Sequence, residues 1–103
     1  MEHFIAERSL LYSQKGGSDR YEFNVRISEP RLVNQSEVNF EFSPGTAVCK
    51  IEFNGLPENL VEEVFGADSI QALSLATNID PYLKRLQKEY DLYWIDGEPY
   101  FEE

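Results

Sequence analysis

An apolar stripe along residues 68–90 constrains the fold of this chain more than any other feature. The stripe consists of Ala72, Ala76, Ile79, Leu83, Leu86 and Tyr90, which follow one another at spacings of four, three, four, three and four positions. It is widened by Ile70, Leu73, Leu75 and Tyr82. Side chains three and four positions apart share one face of an α-helix, so the spacing predicts a helix with a largely buried face. Its small residues, Ala72 and Ala76, suit a close approach to a sheet.

The start of this helix is marked by Gly66, which ends the preceding segment, and by the pair Asp68 and Ser69. A short side-chain oxygen accepts a hydrogen bond from one of the unpaired N–H groups at a helix start. The charge of Asp68 also suits the positive end of the helix dipole. Either residue is therefore a predicted N-cap.

Pro81 interrupts the predicted helix. A proline in a helix interior costs about 3 kcal/mol, because it removes a hydrogen bond and clashes with the preceding turn. One interpretation is a single helix over residues 68–89 with a kink near Asn78. The other is a first helix that ends near Asn78 and a second that begins with Asp80 as cap and Pro81 in the first helical position. The stripe keeps its register across Pro81, which favours a kinked helix or two nearly collinear helices.

Alternating apolar and polar residues before the helix predict four strands joined by short turns. The predicted strands cover residues 4–12, 21–27, 38–42 and 47–53. The clearest alternation is that of Tyr21, Phe23, Val25 and Ile27. We expect an α+β fold: an antiparallel meander of four to five strands, with the long helix packed on one face and against the Tyr21–Ile27 side chains.

Three further segments complete the expected fold. Residues 57–65 have apolar side chains at helical spacing and predict a short helical turn, with an extended loop as the alternative. Residues 92–95 predict a short strand, and residues 98–103 a tail. The tail could protect one edge of the sheet, whereas an edge left open would let a partner add a strand.

The length of 103 residues predicts one domain over residues 1–103. The N-terminus has no basic region followed by an apolar run, which predicts no signal peptide and a cytoplasmic location. A single cysteine excludes an internal disulfide.

The net charge of −10 is unevenly distributed along the chain. Residues 1–57 hold eight acidic and six basic residues, whereas residues 58–103 hold eleven acidic and three basic residues, a net charge of −8. Phosphates would be repelled by this charge, so direct binding of nucleic acid is disfavoured. A basic protein partner would be attracted. The alternative is that the acidity merely maintains solubility.

Few residues of the sequence are candidates for catalysis or for binding a metal or cofactor. His3 is the one histidine and lies near the terminus. Cys49 lies in a predicted strand, and we expect its side chain to be a small buried thiol. One histidine and one cysteine do not make a typical zinc site, and neither a calcium-loop pattern nor a phosphate-binding glycine loop is present. The sequence therefore predicts no enzyme, no cofactor and no bound metal.

The segment that opens the helix resembles a known motif. Gly66 to Leu73 follows the pattern G-x-D-S-x-Q-A-L, which is similar to that of a small bacterial family catalogued as a domain of unknown function. Residues 5–8 and 27–30 look similar to the front half of that family. The resemblance implies the order of strands followed by a helix, and it carries no activity. Gln71 of the motif is either a partner contact or, as we expect, a residue that bonds backbone.

These observations predict a small acidic protein-binding domain of the immunity or antitoxin type, which neutralises a basic toxin such as a nuclease by covering its active site. The alternatives are a non-catalytic accessory or structural module, with a homodimer through a sheet edge as one form, and a nucleic-acid mimic of phage origin. Aromatic anchors with an acidic rim suit a basic partner. The predicted contact residues are Glu58, Glu62, Glu63, Asp91, Tyr93, Trp94, Asp96, Glu98, Tyr100 and Glu102.

Overall fold

The computed structural model describes residues 3–34, 41 and 43–101. In these residues an antiparallel sheet of six strands is combined with two consecutive helices. The strands are β1 (Phe4–Gln14), β2 (Tyr21–Ser28), β3 (Arg31–Leu32), β4 (Ala47–Asn54), β5 (Leu60–Gly66) and β6 (Tyr90–Trp94). The helices are α1 (Ser69–Thr77) and α2 (Asp80–Leu86). The expected α+β class and antiparallel sheet are confirmed, although the sheet has more strands than the four to five predicted.

Successive strands are neighbours in most of the sheet. β1 and β2 form a hairpin, and β2 pairs with residues 51–54 of β4. β3 continues the line of β2, because it pairs with residues 47–48 of the same strand. β5 occupies the other edge of β4, and β6 returns to pair with β1. Within the described chain, β5 and β6 are therefore the outermost strands, and the helices connect them. Residues 4–9 of β1 extend beyond β6 and have no described partner strand on that side.

The core lies between the helices and one face of the sheet. The strand registers place Leu10, Phe23, Val25 and Ile51 on the same face, and each is at most 1% exposed. The helix stripe packs against them with Ala72, Ala76, Ile79, Leu83 and Leu86, all of them buried. Tyr90, which the prediction included in the stripe, is also buried, but it is the first residue of β6 because α2 ends at Leu86. The predicted contact between the stripe and the β2 face is thus confirmed for Phe23, Val25 and Ile27. It is wrong for Tyr21, which is the first residue of β2 and stays 52% exposed at the end of the sheet.

The stripe is narrower than predicted. Ile70 is 78% exposed and Leu75 is 49% exposed, whereas Leu73 and Tyr82 are half-buried. Ile70 and Ala72 are two positions apart, which places their side chains on nearly opposite sides of a helix. Because Ala72 contacts the sheet, Ile70 faces away from it.

The helix is divided rather than continuous. α1 ends at Thr77 and α2 begins at Asp80, so Pro81 occupies the first turn, where its missing N–H costs no helical hydrogen bond. The predicted cap by Asp80 is wrong. Ile79 is the N-cap and makes no side-chain cap bond, and the Asp80 carboxylate instead accepts a hydrogen bond from the Tyr100 hydroxyl at 2.6 Å.

The helical turn predicted over residues 57–65 is wrong, because residues 60–66 form β5. That segment is rich in β-branched and aromatic residues, and it pairs with β4 along its whole length. The strand predicted over residues 38–42 lies mostly outside the described residues.

The G-x-D-S-x-Q-A-L motif joins β5 to α1. A Cβ atom on Gly66 would lie 2.3 Å from the backbone nitrogen of Ala72, so only glycine allows this approach. Asp68 caps the helix by accepting from the Gln71 N–H at 2.8 Å. The Gln71 side chain accepts from the Ala67 N–H at 2.6 Å, which confirms the expectation that it bonds backbone. Each of these polar positions therefore has a structural role.

We predict that Leu83→Ala lowers the free energy of unfolding by about 2–5 kcal/mol, because it removes a fully buried side chain from the helix–sheet contact. Urea unfolding would measure the change. Ile70→Ala, at an exposed position of the neighbouring helix, should change it by less than about 0.5 kcal/mol. Equal stability of the two variants would contradict the described packing.

Gly66→Ala should destabilise the protein by about 1–3 kcal/mol, because the added methyl group collides with backbone that cannot move without displacing α1. Thermal unfolding would detect the loss as a lower Tm. Ala67→Ser, at the exposed neighbouring position, is the control and should leave Tm nearly unchanged. A Gly66→Ala protein as stable as the wild type would show that the approach is not tight.

Candidate functional site

The predicted contact residues separate into two surfaces. Glu58 and Glu62 line a cavity between β5 and α2. A second group lies at the opposite edge of the sheet and includes Asp91, Tyr93, Trp94 and Glu98. Glu63 is exposed and points to the face of β5 opposite Glu62. Asp96 lies in the turn after β6, and Glu102 lies outside the described residues. The predicted contact residues therefore do not form one continuous surface within the described part of the chain.

The chain folds back after β6 to make a C-terminal hairpin, residues 90–101. The Trp94 N–H donates to the Glu98 carbonyl at 2.8 Å, and the Tyr100 N–H donates to the Leu92 carbonyl at 2.9 Å. These bonds cover the outer edge of β6, as predicted for the tail. Backbone groups at this edge are thus already used within the chain.

The aromatic residues of the C-terminal hairpin are already paired with cations of the same chain. The Arg20 guanidinium lies 3.8 Å from the ring centre of Tyr93, and that of Arg8 lies 5.2 Å from Trp94. The Lys84 ammonium lies 4.6 Å from the ring centre of Phe101. Cations within about 6 Å of a ring face are attracted by its quadrupole. A basic partner would therefore have to compete with internal cations here.

Tyr100 connects the hairpin to both β1 and α2. Its hydroxyl accepts a hydrogen bond from Arg8 at 2.7 Å and donates one to Asp80 at 2.6 Å. Burial, followed by the bond to Asp80, raises the pKa of this hydroxyl above its ordinary value. The ring also packs 4.6 Å from that of Trp94. The predicted contact residue Tyr100 thus holds the hairpin in place.

Asp91 ties the base of the hairpin to the turn between β1 and β2. Its carboxylate accepts from the Gly16 N–H at 3.1 Å and from the Lys15 ammonium at 3.2 Å. The Gly16 bond and then the Lys15 bond lower the pKa of Asp91 from its ordinary value of 3.8. This carboxylate is therefore also used inside the molecule.

The cavity between β5 and α2 has a different character, and we call it the acidic groove. Its volume is about 240 Å³. Its apolar walls are formed by Phe53, Leu60, Tyr82 and Leu86, and its charged residues are Glu58, Glu62, Arg85 and Glu89. Apolar walls beneath a carboxylate rim can accept a long side chain that ends in a cation, since such side chains bury their stems and keep the charged head solvated or paired.

Among the described residues, the carboxylates of the acidic groove make no ion pair, although Arg85 also lines the groove. Glu58 accepts a hydrogen bond from the Tyr90 hydroxyl at 3.2 Å, and burial together with this bond raises the pKa of Tyr90. The Arg85 guanidinium lies 4.8 Å from the ring centre of Tyr82. Neither of the two ion pairs between described residues includes Glu58, Glu62 or Glu89. Their negative charge is therefore available to a ligand.

Sequence reasoning missed Arg85 and Glu89 as members of this site. Both follow Tyr82 at helical spacing, three and seven positions on, so they continue one face of α2 and its C-terminal turn. That spacing is the signal that could have found them. It could not show that β5 lies opposite, because the segment was expected to be helical.

The two residues considered for catalysis are placed very differently. Cys49 is fully buried in β4, and burial raises the pKa of its thiol, which disfavours the reactive thiolate. His3 is exposed immediately before β1. Among the described residues no group of three or more histidine, cysteine, aspartate or glutamate side chains is arranged to hold a metal ion.

No protein-family model, curated protein or solved structure matches this chain. Over the described residues, neither helix is long and apolar enough to cross a membrane. The geometry and charge of the two surfaces are therefore the basis for proposing a function.

We predict that Asp91→Asn destabilises the protein at neutral pH and that this effect disappears in acid. The pKa of Asp91 is lower in the folded chain, so its carboxylate stabilises the fold above the ordinary value of 3.8, and the contribution is lost as the pH falls through the folded value. Urea unfolding of both proteins at a series of pH values would measure the difference. Asp19→Asn, at an exposed turn position, controls for the loss of one carboxylate. A difference that persists unchanged below the folded pKa would contradict the assignment.

Proposed function

We propose that this chain is a small acidic protein-binding domain of the immunity or antitoxin type, which neutralises a basic toxin such as a nuclease by covering its active site. The observation that carries the proposal is the excess of carboxylates in residues 58–103, a segment with a net charge of −8. The active site of a nuclease binds a polyanion and is therefore cationic. An acidic surface of comparable size complements it.

The internal use of the basic residues supports this proposal. Lys84 and Arg85 lie over aromatic rings rather than beside carboxylates. Within the described part of residues 58–103, Asp91 is the carboxylate that takes part in an ion pair. The negative potential of this half is thus only weakly neutralised within the chain. Such a field would speed association with a basic protein and make it sensitive to salt.

The contact residues of the proposal are revised by the geometry. The aromatic side chains of the C-terminal hairpin are held by internal cations, so they serve mainly to build the surface. Glu58, Glu62 and Glu89 of the acidic groove and the exposed carboxylates of Asp96 and Glu98 are the groups that a basic partner can reach. We therefore place the centre of the interaction on the acidic side chains.

The test is capture of a partner from the cells in which the protein occurs, followed by an activity assay. Tagged protein is immobilised, bound proteins are eluted with a salt gradient, and they are identified by mass spectrometry. We expect a stoichiometric basic protein that salt releases and whose toxic or nuclease activity is abolished by the purified chain. A neutral or acidic partner, or a captured toxin that stays active in the complex, would contradict the proposal.

Two charge-reversed variants test whether partner binding depends on the position of the acidic residues or only on the net charge of the protein. We predict that the combination Glu58→Lys, Glu89→Lys and Glu98→Lys weakens the complex by at least about tenfold, because it places cations against a cationic partner. The control Glu7→Lys, Glu22→Lys and Glu29→Lys makes the same change in net charge at exposed positions of the first half. Binding constants at fixed salt would compare them. Equal weakening by both would show that only net charge matters.

A further inference from the structure

The outer edge of β5 is one open edge of the sheet; residues 4–9 of β1 also lack a described strand on the side where β6 pairs with residues 10–14. Over residues 60–64, β5 pairs with β4 on one side, and no described strand pairs with it on the other. In an antiparallel pair, alternate residues direct their N–H and C=O groups away from the partner strand. Such a row of unused backbone groups is a template for a further strand. The other edge strand, β6, is covered by the C-terminal hairpin, so the two edges are not equivalent.

The acidic groove adjoins this open edge. Leu60 and Glu62 line the groove and belong to β5, and both side chains point to the helix-bearing face of the sheet. A strand added beside β5 would direct every second side chain to the same face. One of those side chains would enter the groove, between β5 and α2. The edge and the groove therefore form a composite site, one part of which recognises backbone and the other a side chain.

The chemistry of the groove defines that side chain. Phe53 and Leu86 supply apolar wall, while Glu58, Glu62 and Glu89 supply carboxylates without an ion-pair partner among the described residues. A lysine or arginine fits both features, because its aliphatic stem packs on the walls and its head pairs with the carboxylates. The cavity of about 240 Å³ is large enough for one such side chain.

A second copy of this chain is a poor occupant of the edge. Antiparallel self-pairing of residues 60–64 about their midpoint would place Glu62 opposite its own counterpart, and a shift of one residue would place it opposite Glu63 of the other copy. Like charges directly opposite each other destabilise a strand pair. The net charge of −8 over residues 58–103 adds to the repulsion. The edge therefore favours a basic strand of a different protein.

We propose that the partner of this domain adds an extended basic segment to the outer edge of β5 and inserts one lysine or arginine side chain into the acidic groove. This inference rests on the proposed function and specifies its mode of contact. Backbone hydrogen bonds to residues 60–64 set the position of the segment. The carboxylates of the groove select a cationic side chain.

The test uses capped synthetic peptides of about seven residues, the length of an ordinary strand, in which valine and lysine alternate. A second peptide has glutamate in place of lysine. A third keeps the lysines but carries N-methyl groups on alternate backbone amides, in one version for each of the two alternations. N-methylation removes donors to the sheet edge and leaves the charge intact, so it separates strand addition from simple electrostatic attraction. Binding is measured by calorimetry, and hydrogen exchange locates the protected amides.

We predict that the valine–lysine peptide binds and slows exchange at amides of residues 60–64. One N-methylated version should bind at least about tenfold more weakly, and the glutamate peptide should not bind. The variant Glu58→Gln, Glu62→Gln, Glu89→Gln should lose at least about tenfold in affinity, whereas the control Glu7→Gln, Glu22→Gln, Glu29→Gln should stay within about twofold of the wild type. Glutamine keeps the size of each side chain and its capacity to accept hydrogen bonds, so the fold is preserved.

Three outcomes would overturn the inference: equal binding of the lysine peptide and both N-methylated peptides, protection at the C-terminal hairpin instead of residues 60–64, or no binding of the lysine peptide.

The captured partner distinguishes failure of strand addition from failure of the proposed function. If the partner is basic and inhibited, but its complex survives the groove variant and is lost with Asp96→Lys and Glu98→Lys, the inhibitor function stands and strand addition fails. If no basic partner is inhibited, the proposed function fails as well.

Discussion

The close contact between the end of β5 and the start of α1 determines how the rest of the chain is arranged. Gly66 has no side chain at the point where the backbone of Ala72 approaches, and Ala72 and Ala76 are fully buried against the sheet. The cap from Asp68 fixes where the helix begins. With α1 fixed in this position, α2 begins its first turn at Asp80 and Pro81 and lies opposite β5. The acidic groove is the space left between them.

The distribution of cations inside the molecule explains why one half of it presents unpaired negative charge. Arg8 from β1 and Arg20 from the connection between β1 and β2 lie over aromatic rings of the C-terminal hairpin, and Lys15 pairs with Asp91. These contacts hold the hairpin over the edge of β6 and use up basic side chains at that end. At the β5 edge no comparable pairing neutralises Glu58, Glu62 and Glu89 among the described residues. The uneven distribution of charge along the sequence therefore produces negative charge at the β5 edge of the folded protein.

Sequence reasoning succeeded where a local pattern had one physical meaning. The alternation of Phe23, Val25 and Ile27 fits a strand with one buried face, and the small residues Ala72 and Ala76 fit a helix pressed on a sheet. It failed over residues 60–66, because their apolar side chains suit both a short helix and a strand, and only pairing with β4 decides between the two. It also grouped Glu58 and Glu62 with residues of the C-terminal hairpin, although the fold sends the two groups to opposite edges of the sheet.

By itself the sequence determined the α+β class, the position of the helical segment, the turn at Gly66 and the excess of negative charge, because each depends on neighbouring residues or on composition alone. Tertiary structure decided which strand edge stays open, which aromatic rings are taken by internal cations and which carboxylates border a cavity. Those features depend on pairings between residues far apart in the chain, such as Arg8 with Trp94 or Glu62 with Ile51. The spacing of apolar residues does not predict such pairings, because it indicates only which face of each helix or strand is buried.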